Sequence, residues 1–500
     1  MIGENSAMIF SQNEFGLLAQ KRIFILDGAM GAMIQAYKTP SGEALAENDF
    51  RGERFRDHPL PLKSCVDLLC LTAPHIVAEI HEAYLKAGAD IIETCTFNST
   101  ALSLSDYGLG DLAYEISAAA ARLARKAADA FSTEDKPRFV AGSLGPTAKS
   151  ASIAPDLDDP AKRAVTWDEL EAAYYDNARG LLDGGADIFL IETVFDTLNA
   201  KAALFAVRRL AQERGLELPV IVSATVSDNG GRLLSGQSVE AFCVSVLHAN
   251  PLALGLNCSF GAEKLKPSIT ALSAAAPCLV SAYPNAGFPN HLGVYDQTPE
   301  AMADQLEEYM REGLVNIIGG CCGSTPAHIA AIAARAEKYT PRMCAPHACA
   351  PRPAPAQKTM LAGIDALEFE PQSVFANNGG DTAASYRGEF NSLLKDKDYD
   401  GAVDLVREAV EEGAAFIDVC IDDTVPDGKA AVSCFLNLAL QYPDIARLPV
   451  MLDSSRWDVI EAGLKCLQGK GLVNSAGFKG EEAEFSRRVA LAQAYGAIVV

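Results

Sequence analysis

Residues 185–193, Gly-Ala-Asp-Ile-Phe-Leu-Ile-Glu-Thr, carry the pattern that decides the fold. A glycine and an aspartate introduce a short, continuously apolar run, and the run ends in a carboxylate. Gly88-Ala89-Asp90 introduces a second run of the same kind. Continuously apolar strands are typical of parallel sheets that helices cover on both faces. The pattern therefore favours an α/β protein built from repeated strand–helix units.

The first 340 residues contain eight such strands, with helical stretches between them. Strands are predicted at residues 22–26, 90–94, 139–144, 187–192, 220–225, 252–256, 278–283 and 315–319. Helices are predicted at residues 74–86, 112–130, 167–182, 200–213 and 299–312. Eight parallel units predict a (β/α)8 TIM barrel over residues 1–340. A doubly wound sheet would produce a similar pattern and is the alternative.

A Pro- and Ala-rich stretch at residues 341–358 predicts an extended linker. Cys344, His347 and Cys349 within it have a spacing that resembles metal ligands, but the proline content and the lack of a fourth ligand favour a plain linker. Residues 359–500 then repeat the strand–helix pattern. The predicted strands are 373–377, 415–420, 449–453, 472–475 and one that starts at 497; the predicted helices are 399–412, 429–441, 457–468 and 481–495.

Four and a half units cannot close a barrel. We therefore expect residues 359–500 to form the N-terminal part of a second, incomplete TIM-barrel-type domain, and we expect the natural chain to continue.

Composition narrows the classes of partner. With 42 basic and 65 acidic residues the net charge is −23, which would repel nucleic acid and anionic membranes. The N-terminus lacks the pattern of a signal peptide and no apolar run reaches 18 residues, so we expect a cytoplasmic protein without a membrane partner. Thirteen cysteines, an odd number with no regular framework, are expected to be reduced thiols.

Three cysteines stand at predicted strand ends. Cys258 closes the sixth strand, and Cys321 and Cys322 follow the eighth. Strand ends meet at one mouth of a barrel, so these thiols are expected to converge. Three thiolates with one open position form a good catalytic zinc site, and zinc would lower the pKa of an incoming thiol while leaving its sulfur nucleophilic. The alternative is that the three are small buried hydrophobic residues.

Other polar residues end neighbouring strands and are candidates for substrate binding. Asp27, which two glycines follow closely, and Glu192 have carboxylates that could hold an ammonium group; helix capping is the alternative for Asp27. Ser143 lies in a strand-to-turn segment with exposed amides. Asn285 could give an oxygen to the metal when substrate is absent, or cap its turn. Glu93 is a weaker candidate, because Thr94 and Cys95, which follow it, could face the mouth of the barrel instead.

In the second domain Asp418, Asp422, Asp423, Asp453 and Asn474 stand at or just beyond strand ends. Convergent Asp and Asn side chains could hydrogen-bond a heterocycle with an amidine-like edge. Loop solvation and helix capping are the alternatives.

Several motifs together resemble the homocysteine S-methyltransferase domain. They are Asp-Gly-Ala-Met-Gly at 27–31, Glu-Thr-Cys-Thr-Phe-Asn at 93–98, Ile-Glu-Thr at 191–193, Gly-Leu-Asn-Cys at 255–258 and Gly-Gly-Cys-Cys-Gly at 319–323. The length and order of the chain resemble the N-terminal half of the cobalamin-dependent methionine synthases. At one position the chain departs from the family, since Cys95 stands where the family usually has Asn.

The resemblance implies a reaction. It implies zinc bound by Cys258, Cys321 and Cys322, with homocysteine as the fourth ligand. The homocysteine thiolate would attack the methyl group of methylcobalamin carried on another module, and the product would be methionine. Asp27 and Glu192 would orient the amino-acid end of homocysteine. No Asp-x-His-x-x-Gly pattern occurs, so a corrinoid-binding module or protein outside residues 1–500 would supply the cobalamin.

The second domain is similar to the methyltetrahydrofolate-binding barrel of the same enzymes, notably around Asp453-Ser454-Ser455 and in residues 469–475. The resemblance implies that Asp453 and Asn474 bind the cofactor. Residues 379–383 read Gly-Gly-Asp-Thr-Ala where the family has Gly-Glu-Arg-Thr-Asn, and Cys420 replaces an Asn. Each lost partner of a pterin would cost about 1–3 kcal/mol.

The methyl donor is therefore open. Methyltetrahydrofolate, another donor to a corrinoid protein, and a sulfonium or betaine donor are the alternatives. A non-catalytic zinc- or thiol-binding scaffold that docks a corrinoid protein is a further reading.

Overall fold

A computed structural model describes residues 11–227, 230–290, 295–343, 359–369, 383–421, 423–474 and 482–500. Its strands are β1 (Phe24–Ile25), β2 (Ile91–Glu93), β3 (Phe139–Leu144), β4 (Ile188–Val194), β5 (Val220–Ala224), β6 (Ala253–Gly261), β7 (Leu279–Asn285), β8 (Ile317–Ile318), β9 (Thr359–Ala362), β10 (Ala366–Phe369), β11 (Ile417–Cys420), β12 (Val450–Asp453), β13 (Leu472–Val473) and β14 (Ile498–Val499).

The helices surround these strands. They are α1 (Gln12–Ala19), α2 (Met30–Ala36), α3 (Glu47–Arg51), α4 (Leu69–Thr72), α5 (Pro74–Lys86), α6 (Ala101–Leu104), α7 (Ala113–Phe131), α8 (Trp167–Gly184), α9 (Thr197–Arg214), α10 (Val239–Val246), α11 (Ala262–Ala275), α12 (Pro299–Arg311), α13 (Pro326–Ala336), α14 (Ala383–Asp396), α15 (Tyr399–Glu411), α16 (Gly428–Ala439), α17 (Pro443–Ala446), α18 (Trp457–Leu464) and α19 (Glu482–Ala494).

Strands β1 to β8 form a closed barrel. They pair in parallel in the order β1-β8-β7-β6-β5-β4-β3-β2. A parallel bridge between Leu26 and Ile91 joins the two end strands, and the Asp27 N–H donates to the Ile91 carbonyl at 3.0 Å. Because a doubly wound sheet keeps two open edges, the closure decides for the TIM barrel.

Helix α1, which the sequence patterns did not predict, covers the amino-terminal end of this barrel. Phe15 stacks on Phe24 at the start of β1, with ring centroids 4.8 Å apart, and meets Phe139 at the start of β3 edge-on at 5.0 Å. All three rings are buried. This aromatic cluster fills the amino-terminal end of the barrel, opposite the end where the strands finish.

Residues 359–500 contain a smaller parallel sheet in the order β11-β12-β13-β14. The predicted strands at 415–420, 449–453 and 472–475 and the strand from 497 are present, with slightly shorter limits. The predicted strand at 373–377 lies outside the described residues, as do Asp422, Cys344, His347, Cys349 and residues 379–382. Most of the predicted linker lies there too.

An antiparallel hairpin, β9–β10, joins the two sheets and was not predicted. Its turn accepts hydrogen bonds from the barrel: the Ser238 N–H donates to the Ile364 carbonyl at 2.9 Å and the Gln237 side chain to the Gly363 carbonyl at 2.7 Å. On the other side Ala362 bridges Lys470 of the smaller sheet. The hairpin therefore ties both units together.

Lys201 makes a second tie between the units. It is fully buried on α9, and its Nζ donates to the Leu467 carbonyl at 2.7 Å and the Gly469 carbonyl at 3.0 Å. Helix α18 ends at Leu464 rather than at the predicted residue 468, and the two carbonyls that accept from Lys201 follow this helix end.

Within the described residues, no helix is long and apolar enough to cross a membrane.

Candidate metal centre

Three thiols meet at the mouth of the barrel. The Cys258 and Cys322 sulfurs are 3.8 Å apart, the Cys321 and Cys322 sulfurs are 4.0 Å apart, and all three lie within 4.8 Å of one another. Tetrahedral zinc with Zn–S bonds of about 2.3 Å holds its sulfurs about 3.8 Å apart. The three thiols therefore fit zinc as they stand and leave one tetrahedral position for another ligand.

Protonation of the trio favours a cation. Hydrogen bonds from the Cys321 and Cys322 thiols lower the pKa of Cys258, and the same contact with Cys258 raises the pKa of Cys321. One thiolate therefore forms readily, and its formation makes ionisation of the neighbouring thiol less favourable. Only a bound cation makes three adjacent thiolates favourable.

An irregular strand end aims Cys258 at the pair. The β6–β7 register shifts between Asn257 and Gly261, and Cys258 and Ser259 have left-handed φ angles of 61° and 58°. Such a conformation costs about 1–2 kcal/mol for a residue with a side chain. Local strain of this kind is typical of functional sites, where the surrounding structure holds it in place.

Two buried asparagines hold the thiol-bearing segments. Asn257 accepts from the Thr193 N–H at 3.1 Å and the Ser223 hydroxyl at 2.7 Å, and it donates to the Cys321 sulfur at 3.9 Å. Asn285 accepts from the Cys322 N–H at 3.1 Å. Groups around a metal's ligands commonly orient them in this way. The sequence placed Asn257 at a strand end but did not indicate this bridging role.

A cavity of about 470 Å³ opens beside the thiols. Glu93, Glu192 and Ser143 line it together with the three cysteines, and the Ser143 hydroxyl donates to Glu192. Burial raises the pKa of Glu192 to about 7, and burial followed by the neighbouring Glu192 raises the pKa of Glu93. Among the described residues that line the cavity there is no Lys, Arg or His. The carboxylates would therefore stabilise the positive charge of a bound ammonium group.

Asp27 lies beneath this lining rather than in it. Its carboxylate is buried and accepts from the Glu93 N–H at 3.0 Å. It thus sets the position of Glu93, the residue that the sequence analysis ranked lower. Asp27 as a direct substrate ligand stays a prediction.

Asp67 is a further cavity residue that the sequence did not single out. Fully buried, it accepts from the Asn98 N–H at 2.7 Å and the Ser99 hydroxyl at 3.0 Å, and Cys95 donates to it at 3.8 Å. Cys95 itself lines the cavity. No sequence signal marks Asp67, because it lies 28 to 32 positions along the chain from the residues that it holds.

In the smaller sheet three of the five predicted polar residues, Asp418, Asp453 and Asn474, come together, while Asp423 accepts from the Ser455 hydroxyl. The Asn474 side chain donates to Asp453 at 3.3 Å, and Asp418 lies on the neighbouring strand β11. Arg387 of α14 lies between the two carboxylates, 2.6 Å from Asp418 and 3.6 Å from Asp453. The arginine was not anticipated from the sequence.

Comparison with known families now decides the class of protein. The family model for homocysteine S-methyltransferase matches residues 24–336. The chain belongs to this family. A second family model, for pterin binding enzymes, matches residues 388–500. The two matches follow the division between the barrel and the smaller sheet.

Solved structures similar to this family member include the homocysteine methyltransferase MmuM from Escherichia coli. Its oxidized form is 24% identical, with 65% of this chain and 99% of that chain covered and a TM-score of 0.49. Its metallated form is 25% identical, with 64% and 98% covered and a TM-score of 0.48.

Proposed function

We propose that the barrel transfers a methyl group to the sulfur of homocysteine, and that Cys258, Cys321 and Cys322 hold the zinc ion for this reaction. The observation that carries the proposal is the spacing of the three sulfurs, which open into a cavity lined by carboxylates. When bound, zinc supplies an open position at which a thiol loses its proton at neutral pH and its sulfur stays nucleophilic.

The chain's own residues bind and orient the substrate. Glu192, held by Ser143, and Glu93, held by Asp27, receive the substrate ammonium group in the cavity beside the thiols. Asn285 holds the backbone of Cys322 and so keeps the substrate-binding side of the trio in place. The aromatic cluster at the amino-terminal end of the barrel keeps water from reaching the sulfur through that end. Positioning of this kind converts an encounter into an oriented reaction.

For the methyl donor we propose methylcobalamin carried on a separate corrinoid module. In that reaction the S–CH3 bond would form as the Co–CH3 bond breaks, and the cobalt would keep the electron pair of the broken bond. A cavity of about 470 Å³ receives homocysteine but is too small to enclose a corrinoid, so the donor would approach from the mouth. We propose domain limits of 1–340 for the barrel, 341–358 for the linker and 359–500 for the pterin-binding-like part.

A metal assay combined with donor exchange tests this function. The purified chain should contain about one zinc per molecule and should methylate homocysteine with methylcobalamin. Activity with methyltetrahydrofolate and a corrinoid module would identify folate as the ultimate donor. Activity with S-methylmethionine or betaine alone would instead identify a sulfonium or betaine donor.

Cys321→Ser should lose zinc and activity, while the matched control Cys466→Ser, a cysteine of the smaller unit, should keep both. Full activity of Cys321→Ser, or zinc-free protein that is active, would refute the zinc-thiolate mechanism. Bound zinc with no methyl transfer from any donor would favour a docking scaffold.

A further inference from the structure

Two carboxylates on neighbouring strands of the smaller sheet already have a cationic partner. One nitrogen of Arg387, Nη2, lies 2.6 Å from an Asp418 oxygen and 3.6 Å from an Asp453 oxygen. The Asp418 and Asp453 side chains are only 3% and 10% exposed, while the Arg387 side chain is 40% exposed. The arginine therefore reaches from the surface into the carboxylate pair.

A guanidinium and the edge of a pterin present the same chemistry to a carboxylate. Each offers adjacent N–H donors in one plane, and a carboxylate accepts them side by side. Asn474, which donates to the same Asp453 oxygen at 3.3 Å, fills part of the remaining space around it. A pterin edge that bound Asp418 or Asp453 would therefore compete with the Arg387 guanidinium for the same oxygens.

Burial makes this occupation favourable. A carboxylate without a partner is costly inside a protein, and an ion pair with good hydrogen-bond geometry reduces that cost. Arg387 of α14 is the ion-pair partner of Asp418, the second residue of β11, and lies 3.6 Å from Asp453, the last residue of β12. Because 40% of the Arg387 side chain is exposed, it can withdraw toward solvent.

We propose that Arg387 is a built-in occupant of the pterin-type site, so that in its resting state the smaller unit is closed to heterocycles with an amidine-like edge. A pterin binds only when Arg387 swings out toward solvent. The proposal is independent of methyl transfer in the barrel, because it concerns a different site.

Calorimetric titration of the full chain with 5-methyltetrahydrofolate tests the proposal. Arg387→Met keeps the stem and removes the guanidinium, and it should bind at least about tenfold more tightly than wild type, since one hydrogen bond to a charged group is worth that factor. Arg407→Met is the matched control. Arg407 pairs with Asp444 at 2.9 Å and has a side chain 33% exposed, on a different helix, and its loss should leave the affinity unchanged.

Two further variants keep the test decisive. Arg387→Gln preserves polarity and should also gain affinity if Arg387→Met folds poorly. Adding Asp453→Asn to Arg387→Met should remove the gain, because the pterin would lose its acceptor. The proposal is overturned if wild type binds as tightly as the Arg387 variants, or if none of the proteins binds the folate.

Discussion

Replacing Asn257 by leucine should weaken zinc binding without touching a zinc ligand. Asn257 is fully buried and joins three strand ends: it accepts from Thr193 and Ser223 and donates to the Cys321 sulfur. Leucine has a similar volume but none of these hydrogen bonds. The substitution therefore separates orientation of the thiol from the thiol itself.

The expected size follows from the contacts that are lost. The Thr193 N–H is left without its acceptor, which costs about 1–3 kcal/mol in a buried position. The same residue has a strained φ of 52°, so its loop is the first part that we expect to move. Removing groups that orient metal ligands typically lowers affinity 10–100-fold. Because the Cys321 contact is long at 3.9 Å, we expect the lower end, about tenfold.

Zinc affinity can be measured by competition with a chromophoric chelator, and cobalt substitution adds a thiolate-to-metal absorption band that reports on the sulfurs. Asn316→Leu is the matched control. Asn316 is equally buried and bonds the Val280 N–H at 3.0 Å and the Arg342 carbonyl at 2.9 Å, at the amino-terminal end of β8. Both variants should lower the melting temperature. Equal zinc affinities in Asn257→Leu and wild type, or the same loss in both variants, would refute the reasoning.

Three other predictions concern the cavity and the contact between units. Gly323→Ala should disturb the thiols and lower the melting temperature, because φ is 79° and a Cβ would lie 2.2 Å from Tyr295; thermal unfolding and zinc content check this, and unchanged values of both would contradict it. Glu192→Gln should raise KM for homocysteine at least about tenfold with zinc content unchanged, since a charged hydrogen bond is lost; an unchanged KM in steady-state assays would exclude its contact with the ammonium. Burial lowers the pKa of Lys201 from 10.5 to about 7, so between these values the unfolded chain binds a proton that the folded chain lacks, and stability should rise with pH across that window. In Lys201→Met the free energy of unfolding, measured from unfolding curves between pH 7 and 10, should rise less with pH than in wild type. Parallel pH profiles of the two proteins would contradict the prediction, because they would show that the lysine is charged when buried.

Most of the fold could be predicted from local sequence periodicity. The eight barrel strands and the three thiols at their ends could be predicted because each depends on a short apolar run and the residue that follows it. The limits of β3 and α5 match the prediction, since Phe139–Leu144 lies between Arg138 and a Gly-Pro pair at 145–146, and Pro74 suits the start of a helix. Helix α1 and the β9–β10 hairpin escaped prediction, because they are short and packing against distant segments stabilises them.

The roles of the cavity residues needed the three-dimensional structure. The sequence ranked Asp27 above Glu93, yet Asp27 lies beneath the cavity and supports Glu93 in its lining. Asn257 and Arg387 gave no local signal of their side-chain contacts, because the partners named here lie at least 34 positions from Asn257 and at least 31 positions from Arg387.

The sequence by itself determined the number and order of the strand–helix units and the chemical groups that each strand end carries. Tertiary structure alone decided that the sheet closes, that two sulfurs stand 3.8 Å apart and that an arginine covers the second carboxylate pair. The physical reason is the distance along the chain over which each property is determined. Apolar periodicity records which face of a short segment is buried, whereas closure and site geometry depend on twist and register accumulated around the whole barrel.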